Sequence, residues 1–427
     1  MKLDEQKIKE RNESSEQKHR KEFAYLSDLL SDRGLNADEL IDKIADFQIA
    51  IPSWALGSGG TRFGRFPIGG EPGNLDEKIE DVGLLHALSN SCNSISLHIP
   101  WDIPDDTQRI KDLAASFGLH FDAMNSNTFQ DQDNQKYSYK YGSLAHTDKA
   151  VRQQAVDHNN EVIDYGVELG SKSLTVWLAD GSCFPGQLDF KSAFKRTLDS
   201  LEKIYDHLPS DWKVYIEYKP FEPNFYSTVI QDWGTSMLLA KKLGDKAFTL
   251  VDLGHHLPNT NIEQIVATLM MEGKLGGFHF NDSKYGDDDL TFGSIKPYQS
   301  FLIFNELVKG MEDPDSKNPP LAWMIDASHN VKDPLEDLLQ SLEAINIAYA
   351  KALIVDQELM KKLQEDNDPV QTQEHMQDVF RTDVRPLIRE ARLRNGAAIN
   401  PIDAYRSFDV RNQLIKVRGS ETVATGL

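Results

Sequence analysis

Acidic and imidazole side chains stand at the ends of four short apolar runs in this chain of 427 residues. Glu217, Asp252 and Asp326 supply carboxylates, and His279 supplies an imidazole. Three carboxylates and one imidazole form a suitable ligand set for a divalent cation such as Mn²⁺ or Mg²⁺. Buried charges cost several kcal/mol each unless they are paired or bound to a metal. We therefore predict that these four residues bind a metal ion.

A second group of candidate ligands lies close to the first along the chain. His255 follows Asp252 in the sequence DLGHH, and Asp287 and Asp289 both lie in the sequence YGDDD. One short loop can therefore offer two carboxylates to the same ion. Taken alone, the acidic loop has the alternative of simple solvation, and Asp252 has that of a helix cap. Together these residues predict a second metal ion beside the first, with Asp252 shared between the two.

Basic and aromatic residues near the same strand ends predict an organic substrate. Lys219 follows Glu217 by two positions, so on a strand both side chains point to the same side. A protonated lysine there can donate a hydrogen bond to a substrate oxygen, and a Glu–Lys ion pair is the alternative. Trp54, Trp177 and Phe129 can present flat apolar faces to the C–H side of a sugar. Core packing is the alternative for each tryptophan taken singly.

Eight apolar or β-branched runs carry these residues, and helical stretches separate the runs. Continuous apolar strands that alternate with helices indicate parallel strands buried on both faces. Eight such units predict an α/β fold of the (β/α)8 TIM-barrel type, whose working residues lie at the carboxyl ends of the strands. The alternative is a doubly wound sheet, but the Gly-rich segment 57–63 lacks the GxGxxG spacing of its phosphate turn. The predicted strand regions are 47–54, 94–102, 121–127, 173–181, 214–220, 248–256, 276–282 and 322–330.

Helical segments are predicted on both sides of the barrel, and they set the domain boundaries. Residues 1–46 are predicted to form an N-terminal helical segment, of which residues 1–20 are expected to be solvated or frayed. Residues 47–332 are predicted to form the barrel, and residues 333–427 a long C-terminal helical extension. A barrel does not need such an extension, so we expect it to contact a neighbouring subunit in an oligomer.

The composition excludes some classes of partner. The chain has 46 lysines and arginines against 67 aspartates and glutamates, a formal net charge of -21, which argues against nucleic acid and anionic membranes. Its two cysteines, Cys92 and Cys183, have no CxxC or zinc spacing, as suits a reducing cytosol. The N-terminus has no apolar signal core, and no apolar run approaches the ~18 residues of a transmembrane helix. We therefore expect a cytoplasmic protein.

Longer motifs give the chain a resemblance to a known family. These motifs include PSWxxGxGGTRFxRFP (52–67), SLHIPWD (96–102), FDAMNSNTF (121–129), LTVWxxDGSxFPGQ (174–187), VDLGHHxPNTNIE (251–263), GGFHFNDSKYGDDDL (276–290) and MIDxSHN (324–330). On these motifs the chain resembles the L-rhamnose isomerases of the pseudomonad type, a group that includes enzymes with broad aldose–ketose specificity. The resemblance runs from about residue 25 to residue 410, and the xylose isomerases are more distant relatives with the same barrel.

The resemblance implies two metal ions per subunit and a ligand set for each. The ligands that it implies for a structural ion are Glu217, Asp252, His279 and Asp326. Those that it implies for a catalytic ion are His255, Asp287 and Asp289, with Asp252 bridging. Mn²⁺ is the expected ion, and Co²⁺, Mg²⁺ and Zn²⁺ are the alternatives.

The resemblance also implies how a sugar is held. His98 would contact the ring oxygen and assist ring opening, Lys219 would bind a substrate oxygen near C1, and Asp326 is a candidate for activating a water. The other residues expected to bind substrate are Trp54, Phe63, Phe129, Trp177, His255 and Asp289. The family is typically a homotetramer, in which Phe63 would reach a neighbouring subunit's site. Tyr218 departs from the pattern, since the family has histidine there, and we expect its side chain to point away from the site.

These residues and the resemblance predict conversion of L-rhamnose to L-rhamnulose, with D-allose and D-allulose as further candidates. After ring opening, hydrogen would move from C2 to C1, either directly as hydride or through an enediol. A metal-dependent hydrolase on the same barrel and a sugar-binding barrel without catalysis are the alternatives. The chain lacks the HxH motif usual in amidohydrolases and keeps every expected metal ligand, which favours the isomerase.

Overall fold

Ten parallel β-strands form one sheet that curls into a ring in the computed structural model. The structure describes residues 3–58, 66–182, 184–185, 187–222, 227–328 and 331–424. The ring order is β3-β5-β6-β7-β8-β9-β10-β1-β2-β4. The strands are β1 (Ala50–Pro52), β2 (Ser94–Ser96), β3 (His98–Ile99), β4 (His120–Phe121), β5 (Met124–Ser126), β6 (Ser173–Val176), β7 (Lys213–Glu217), β8 (Ala247–Asp252), β9 (Leu275–Phe280) and β10 (Ala322–Ile325).

Two strands of the barrel are each interrupted once. The second strand of the barrel consists of β2 and β3, and the third consists of β4 and β5. Because β2 pairs with β4 and β3 pairs with β5, the interrupted strands are neighbours and the ring closes between them. Each of the eight predicted regions overlaps one strand of this barrel, so the prediction of a (β/α)8 fold is confirmed.

Helices cover the outside of the barrel and continue beyond its last strand. The first ten are α1 (Glu5–Asp32), α2 (Ala37–Asp46), α3 (Leu75–Ser89), α4 (Thr107–Ser116), α5 (Lys149–Leu169), α6 (Phe190–His207), α7 (Trp233–Leu243), α8 (Ile262–Met271), α9 (Pro297–Glu312) and α10 (Pro334–Leu353). The C-terminal region adds α11 (Gln357–Glu365), α12 (Pro369–Arg381), α13 (Arg385–Arg394), α14 (Pro401–Ser407) and α15 (Val410–Arg418). The proposed domain boundaries before residue 47 and before residue 333 stay predictions.

Large apolar side chains fill the interior of the barrel below the carboxyl ends of its strands. Tyr215, Phe248 and Leu250 are buried together with Ala123. Tyr215 occupies space that a side chain on β9 would need, since a Cβ built on Gly276 would lie 2.6 Å from its ring. The interior is therefore a packed core, and side chains at the strand ends must point out of it.

The expectation of a frayed N-terminus is wrong, and a solvated helix describes most of its side chains but not the face that packs on the rest of the chain. Helix α1 is continuous from Glu5, and Ile8, Asn12 and His19 are buried along it. The Asn12 side chain donates to the carbonyl of Ala397 at 2.9 Å and accepts from the backbone N–H of Ile399 at 2.9 Å. Residues nearly 400 positions away cover this helix, and its own highly charged sequence does not reveal that contact.

The end of the chain returns to its own barrel. The Arg418 guanidinium, only 2% exposed, forms two hydrogen bonds with the Asp81 carboxylate of α3 at 2.8 and 2.9 Å. The Arg411 guanidinium donates to the Gly69 carbonyl at 3.2 Å and also to Asp333, which caps α10, at 2.7 and 2.8 Å. The extension is thus bonded to the barrel of the same chain.

The length and hydropathy of the helices bear on whether the chain could cross a membrane. In the described ranges, no single helix is both long and apolar enough to cross a bilayer. Helices α10 and α11 meet that criterion only when they are taken together, and they are bent by 62° at their junction.

Replacing Arg418 with methionine should destabilise the protein strongly, because the Asp81 carboxylate would remain buried without its cation. Breaking a buried pair in this way costs about 3–5 kcal/mol. The measurement is the apparent free energy of unfolding in urea. Arg381→Met is the matched control, since its pair with Asp378 is 63% and 67% exposed and should contribute no more than about 1 kcal/mol. Equal losses in the two variants would contradict a stabilising role for the tail.

Candidate functional site

Four neighbouring strands bring the predicted metal ligands together at the carboxyl end of the barrel. Glu217 ends β7, Asp252 ends β8, His279 lies near the end of β9, and Asp326 follows β10. One ligand atom from each of the four residues lies within 4.8 Å of those of the others. Parallel pairing in register produces this arrangement, since Asp252 lies directly opposite His279.

The charges of this cluster are strongly coupled. The His279 Nδ1 atom lies 3.2 Å from a Glu217 oxygen and 3.5 Å from an Asp326 oxygen. Burial opposes the charge of Glu217 and His279, but their mutual attraction outweighs it, so the pKa of Glu217 is lowered and that of His279 is raised. Burial raises the pKa of Asp252, which the Asn281 amide holds at 3.0 and 3.1 Å.

The donor set fits a divalent cation. Three carboxylates converge with one imidazole, so the negative charge exceeds what the imidazole can offset. A second observation agrees, because the buried Nδ1 atom of His255 lies 3.2 Å from a Glu217 oxygen without a hydrogen bond. Oxygen and imidazole ligands suit Mn²⁺, Co²⁺ and Mg²⁺ alike, so the residues do not select one ion.

The residues predicted for a second ion lie beside the first set. The His255 Nε2 atom is 3.1 Å from an Asp287 oxygen, and Asp289 lies on the same cavity wall. Within the described part of the chain, the first set alone brings all its ligand atoms within 4.8 Å. The second metal therefore stays a prediction, carried by the proximity of His255 and Asp287.

Lys219 contacts a residue that the sequence did not single out. Its ammonium donates to Asp287 and to Glu222, each at 2.6 Å, and its side chain is only 3% exposed. It also lies 5.2 Å from the centre of the Trp177 ring. Glu222 lies three positions after Lys219, in the loop after β7. That short spacing is the only sequence signal that could have identified Glu222 as a partner of Lys219.

Tyr218 stands between two site residues but does not line the cavity. It is buried, and its hydroxyl donates to the His256 Nε2 atom at 2.6 Å, while the His256 Nδ1 atom lies 3.3 Å from the Leu253 carbonyl. Burial lowers the pKa of His256 to about 4, so this imidazole is neutral at neutral pH. The pair joins the ends of β7 and β8 behind the site.

A cavity of about 390 Å³ opens above the cluster. Trp101, Ser126, Gln130 and Thr175 line it in addition to predicted residues, and Trp101 enters the sequence prediction only as part of the motif SLHIPWD. Phe63, predicted to act at a neighbouring subunit, lies outside the described residues. The predicted residues that line the cavity are Trp54, His98, Phe129, Trp177, Glu217, His255, His279, Asp287, Asp289 and Asp326.

Aromatic rings form one wall of this cavity. His98 stacks on Trp101 at 4.1 Å and meets Trp54 and Phe129 edge to face at 5.3 and 5.7 Å between ring centres. Phe129 in turn meets Trp177 at 4.8 Å. An apolar wall facing an acidic cluster suits a ligand with one C–H face and several oxygens.

Cavity size alone does not identify the site. A cavity of about 740 Å³ lies between α1, α3 and residues 393–397, and an open groove of similar volume lies among α8, α9, α11 and α12. Neither contains a converging set of acids and imidazoles among the described residues. Chemistry therefore favours the smaller cavity at the barrel mouth.

His98 should make the protein sensitive to acid. Burial lowers its pKa to about 3, below the ~6.5 of an unfolded chain, so the unfolded state binds the proton first. The contribution of neutral His98 to the free energy of unfolding is complete above about pH 6.5 and is lost as the pH falls toward 3. At pH 5 the loss is about 2 kcal/mol. The measurement is urea unfolding at pH 7 and pH 5, in which His98→Asn should lose about 2 kcal/mol less than the wild type.

Gln130→Ala provides the control, because it alters the same cavity without removing a titratable group. It should keep the acid sensitivity of the wild type. An equal drop in His98→Asn and Gln130→Ala would show that His98 does not carry the effect.

Known proteins similar to this chain share its fold. A family described as xylose isomerase-like TIM barrel matches residues 90–345. A protein named probable sugar isomerase from Rhizobium meliloti (strain 1021) is 52% identical over 398 residues, which cover 93% of this chain and 92% of that protein. Another of that name, from Mesorhizobium japonicum, is 51% identical over 407 residues, which cover 95% of this chain and 94% of that protein.

A solved structure of L-ribulose 3-epimerase matches with a TM-score of 0.54 and 15% identity, and covers 76% of this chain and 99% of that one. At this identity the likeness concerns the fold alone. The family match spans more than half of the chain, and the two relatives align with nearly all of it. The chain therefore belongs to the xylose isomerase-like TIM barrel family.

Proposed function

We propose that the protein is a metal-dependent aldose–ketose isomerase. The observation that carries the proposal is the cluster of Glu217, Asp252, His279 and Asp326, which lies at the mouth of the barrel below a cavity walled by aromatic rings. The names of its two relatives, both probable sugar isomerases, support the same reaction class. We propose L-rhamnose as substrate and L-rhamnulose as product, with D-allose and D-allulose as further substrates, on the strength of the sequence motifs.

Different residues would open the sugar ring and bind the substrate. Burial keeps His98 neutral, and its Nδ1 atom is buried without a hydrogen-bond partner, so the imidazole can exchange a proton with the ring oxygen. Lys219 contacts two residues of the cavity lining, Glu222 and Asp287, and can donate a hydrogen bond to a sugar oxygen near C1 from that position. Trp54, Phe129 and Trp177 can pack against the C–H face of the substrate.

The acidic cluster has an electrostatic part in the reaction. When bound there, divalent ions supply positive charge that stabilises negative charge developing on O1 and O2 of the sugar. Glu217 and Asp252 hold their positions through contacts with His279 and Asn281, and Asp326 accepts a hydrogen bond from the Trp54 indole at 2.9 Å. We propose that His255, Asp287 and Asp289 hold a second ion and that Mn²⁺ is the preferred metal.

The purified full-length protein should convert L-rhamnose to a ketose when Mn²⁺ is present, and EDTA should abolish the conversion. Glu217→Gln should weaken Mn²⁺ binding at least about tenfold and remove most of the activity, because it takes one negative charge from the ligand set. Mn²⁺ affinity and ketose formation are the measurements.

Asp282→Asn is the matched control, since this buried acid lies at the end of another barrel strand, just after β9, but accepts from the backbone N–H groups of Ile295 and Lys296. It should bind Mn²⁺ as the wild type does. Epimerisation of a ketose without conversion of any aldose would overturn the isomerase, and so would inactivity on every aldose with every divalent metal.

We propose that hydrogen passes directly from C2 to C1 as hydride, while the proton of O2 moves to O1. The substrate's own hydrogen then stays in the product. The reaction in deuterated water should therefore give a ketose with almost no deuterium on C1 by mass spectrometry. Substantial deuterium there would indicate the enediol route, with Asp326 or a water as the base.

We also propose a homotetramer in the cytoplasm. Exposed aromatic side chains support the oligomer, since Tyr141, Phe184 and Tyr285 lie on loops around the barrel mouth and are 73%, 56% and 74% exposed. The buried free thiol of Cys92 suits a reducing compartment. Light scattering should give four times the mass of the 48.3 kDa chain, and a monomeric mass would contradict the tetramer.

A further inference from the structure

A fully buried ion pair lies behind the aromatic wall of the cavity. The ammonium of Lys78, on α3, donates to the Oδ1 atom of Asp102 at 2.7 Å, and both side chains are 0% exposed. Neither residue lines the cavity. A buried ion pair is often no more stabilising than apolar residues of similar volume, because both charges lose their hydration. Its position therefore matters more than its contribution to stability.

The second carboxylate oxygen of Asp102 accepts hydrogen bonds from two residues. His98 belongs to the cavity wall, and Ser53 directly precedes the wall residue Trp54. The Asp102 Oδ2 atom accepts from the backbone N–H of His98 at 2.8 Å and from the Ser53 hydroxyl. The backbone N–H of Asp102 returns a bond to the His98 carbonyl at 3.0 Å. One carboxylate thus ties the first residue of β3 to the residue after β1.

These contacts continue to the acidic cluster. Ser53 directly precedes Trp54, whose indole N–H donates to the Asp326 carboxylate at 2.9 Å. The Trp54 ring also meets His98 edge to face, with 5.3 Å between ring centres and 85° between planes. A continuous set of bonds and ring contacts therefore runs from α3, through Asp102, to a residue of the cluster.

We propose that Asp102, with its charge balanced by Lys78, is a positioning residue that sets Trp54 and His98 against Asp326 and the substrate. The kinetic part of the test of this proposal rests on the proposed isomerase function. The position of the Trp54 ring can be measured without activity. Losing the acceptor at Asp102 should misplace both rings, and a misplacement of about 1 Å near the chemistry can lower the rate about 100-fold.

Paired replacements separate positioning from charge balance. Lys78→Met with Asp102→Leu removes both charges and also the acceptor for His98 and Ser53. Lys78→Met with Asp102→Asn removes both charges but keeps one amide oxygen as acceptor. Both double variants remove the charges of Lys78 and Asp102 together, whereas a single variant would leave one buried charge without the other and could unfold for that reason alone.

In the double variant with Asp102→Leu (the Leu pair), kcat should fall at least about tenfold, with KM changed less than about threefold. The double variant with Asp102→Asn (the Asn pair) should recover most of this loss of kcat. The protein contains six tryptophans, so 5-fluorotryptophan labelling gives a ¹⁹F spectrum in which Trp54→Phe identifies one signal. That signal should shift in the Leu pair and stay near its wild-type position in the Asn pair. A wild-type kcat or an unmoved Trp54 signal in a folded Leu pair overturns the proposal.

Ser53→Ala tests the same contact if both pairs fail to fold. Ser200→Ala is its matched control, because Ser200 is equally buried and donates to the Leu144 carbonyl away from the cavity. Ser53→Ala should lower kcat and move the Trp54 signal, and Ser200→Ala should do neither. Equal behaviour of the two overturns the positioning role. If the wild type isomerises no aldose, the proposed function fails, and the ¹⁹F signal alone decides the positioning.

Discussion

Mutual repulsion among carboxylates at the open end of the barrel is the constraint on which the site depends. Parallel strands place Glu217, Asp252 and Asp326 around one imidazole, and Glu217, Asp252 and His279 are buried there. Such a set is unfavourable by itself, and it persists because the packed interior below and the hydrogen bonds around it fix the strand ends. A divalent ion bound there would relieve the repulsion, so the fold provides a candidate metal site by holding like charges together.

The surroundings of the cluster hold it from different sides. Asn281 fixes Asp252, and the Trp54 indole fixes Asp326. Behind β7 and β8, the Tyr218–His256 hydrogen bond joins the two strand ends that carry Glu217 and His255. Asn281, Tyr218 and His256 do not line the cavity, whereas Trp54 does. The geometry of these supports decides how closely the four acidic and imidazole groups approach one another.

The sequence predicted the barrel well, because eight apolar runs separated by helices leave few other ways to bury them. It also predicted Glu217, Asp252, His279 and Asp326 as a group, since the carboxyl ends of parallel strands meet at one face. It missed Glu222, which becomes visible only when the loop after β7 folds over Lys219. It was wrong about the first turns of α1, since Asn12 and its partner Ala397 lie far apart along the chain. Contacts between remote segments leave no periodic signal, and that is where the prediction failed.

The bond between Arg418 and Asp81 also bears on how the protein is made. Asp81 leaves the ribosome 337 residues before Arg418, which supplies its buried cation. Until Arg418 has been synthesised, α3 therefore carries this acid without that cation. The barrel reaches its final charge balance only after Arg418 has emerged, so a ribosome stalled between the two residues would hold an Asp81 that still lacks its partner.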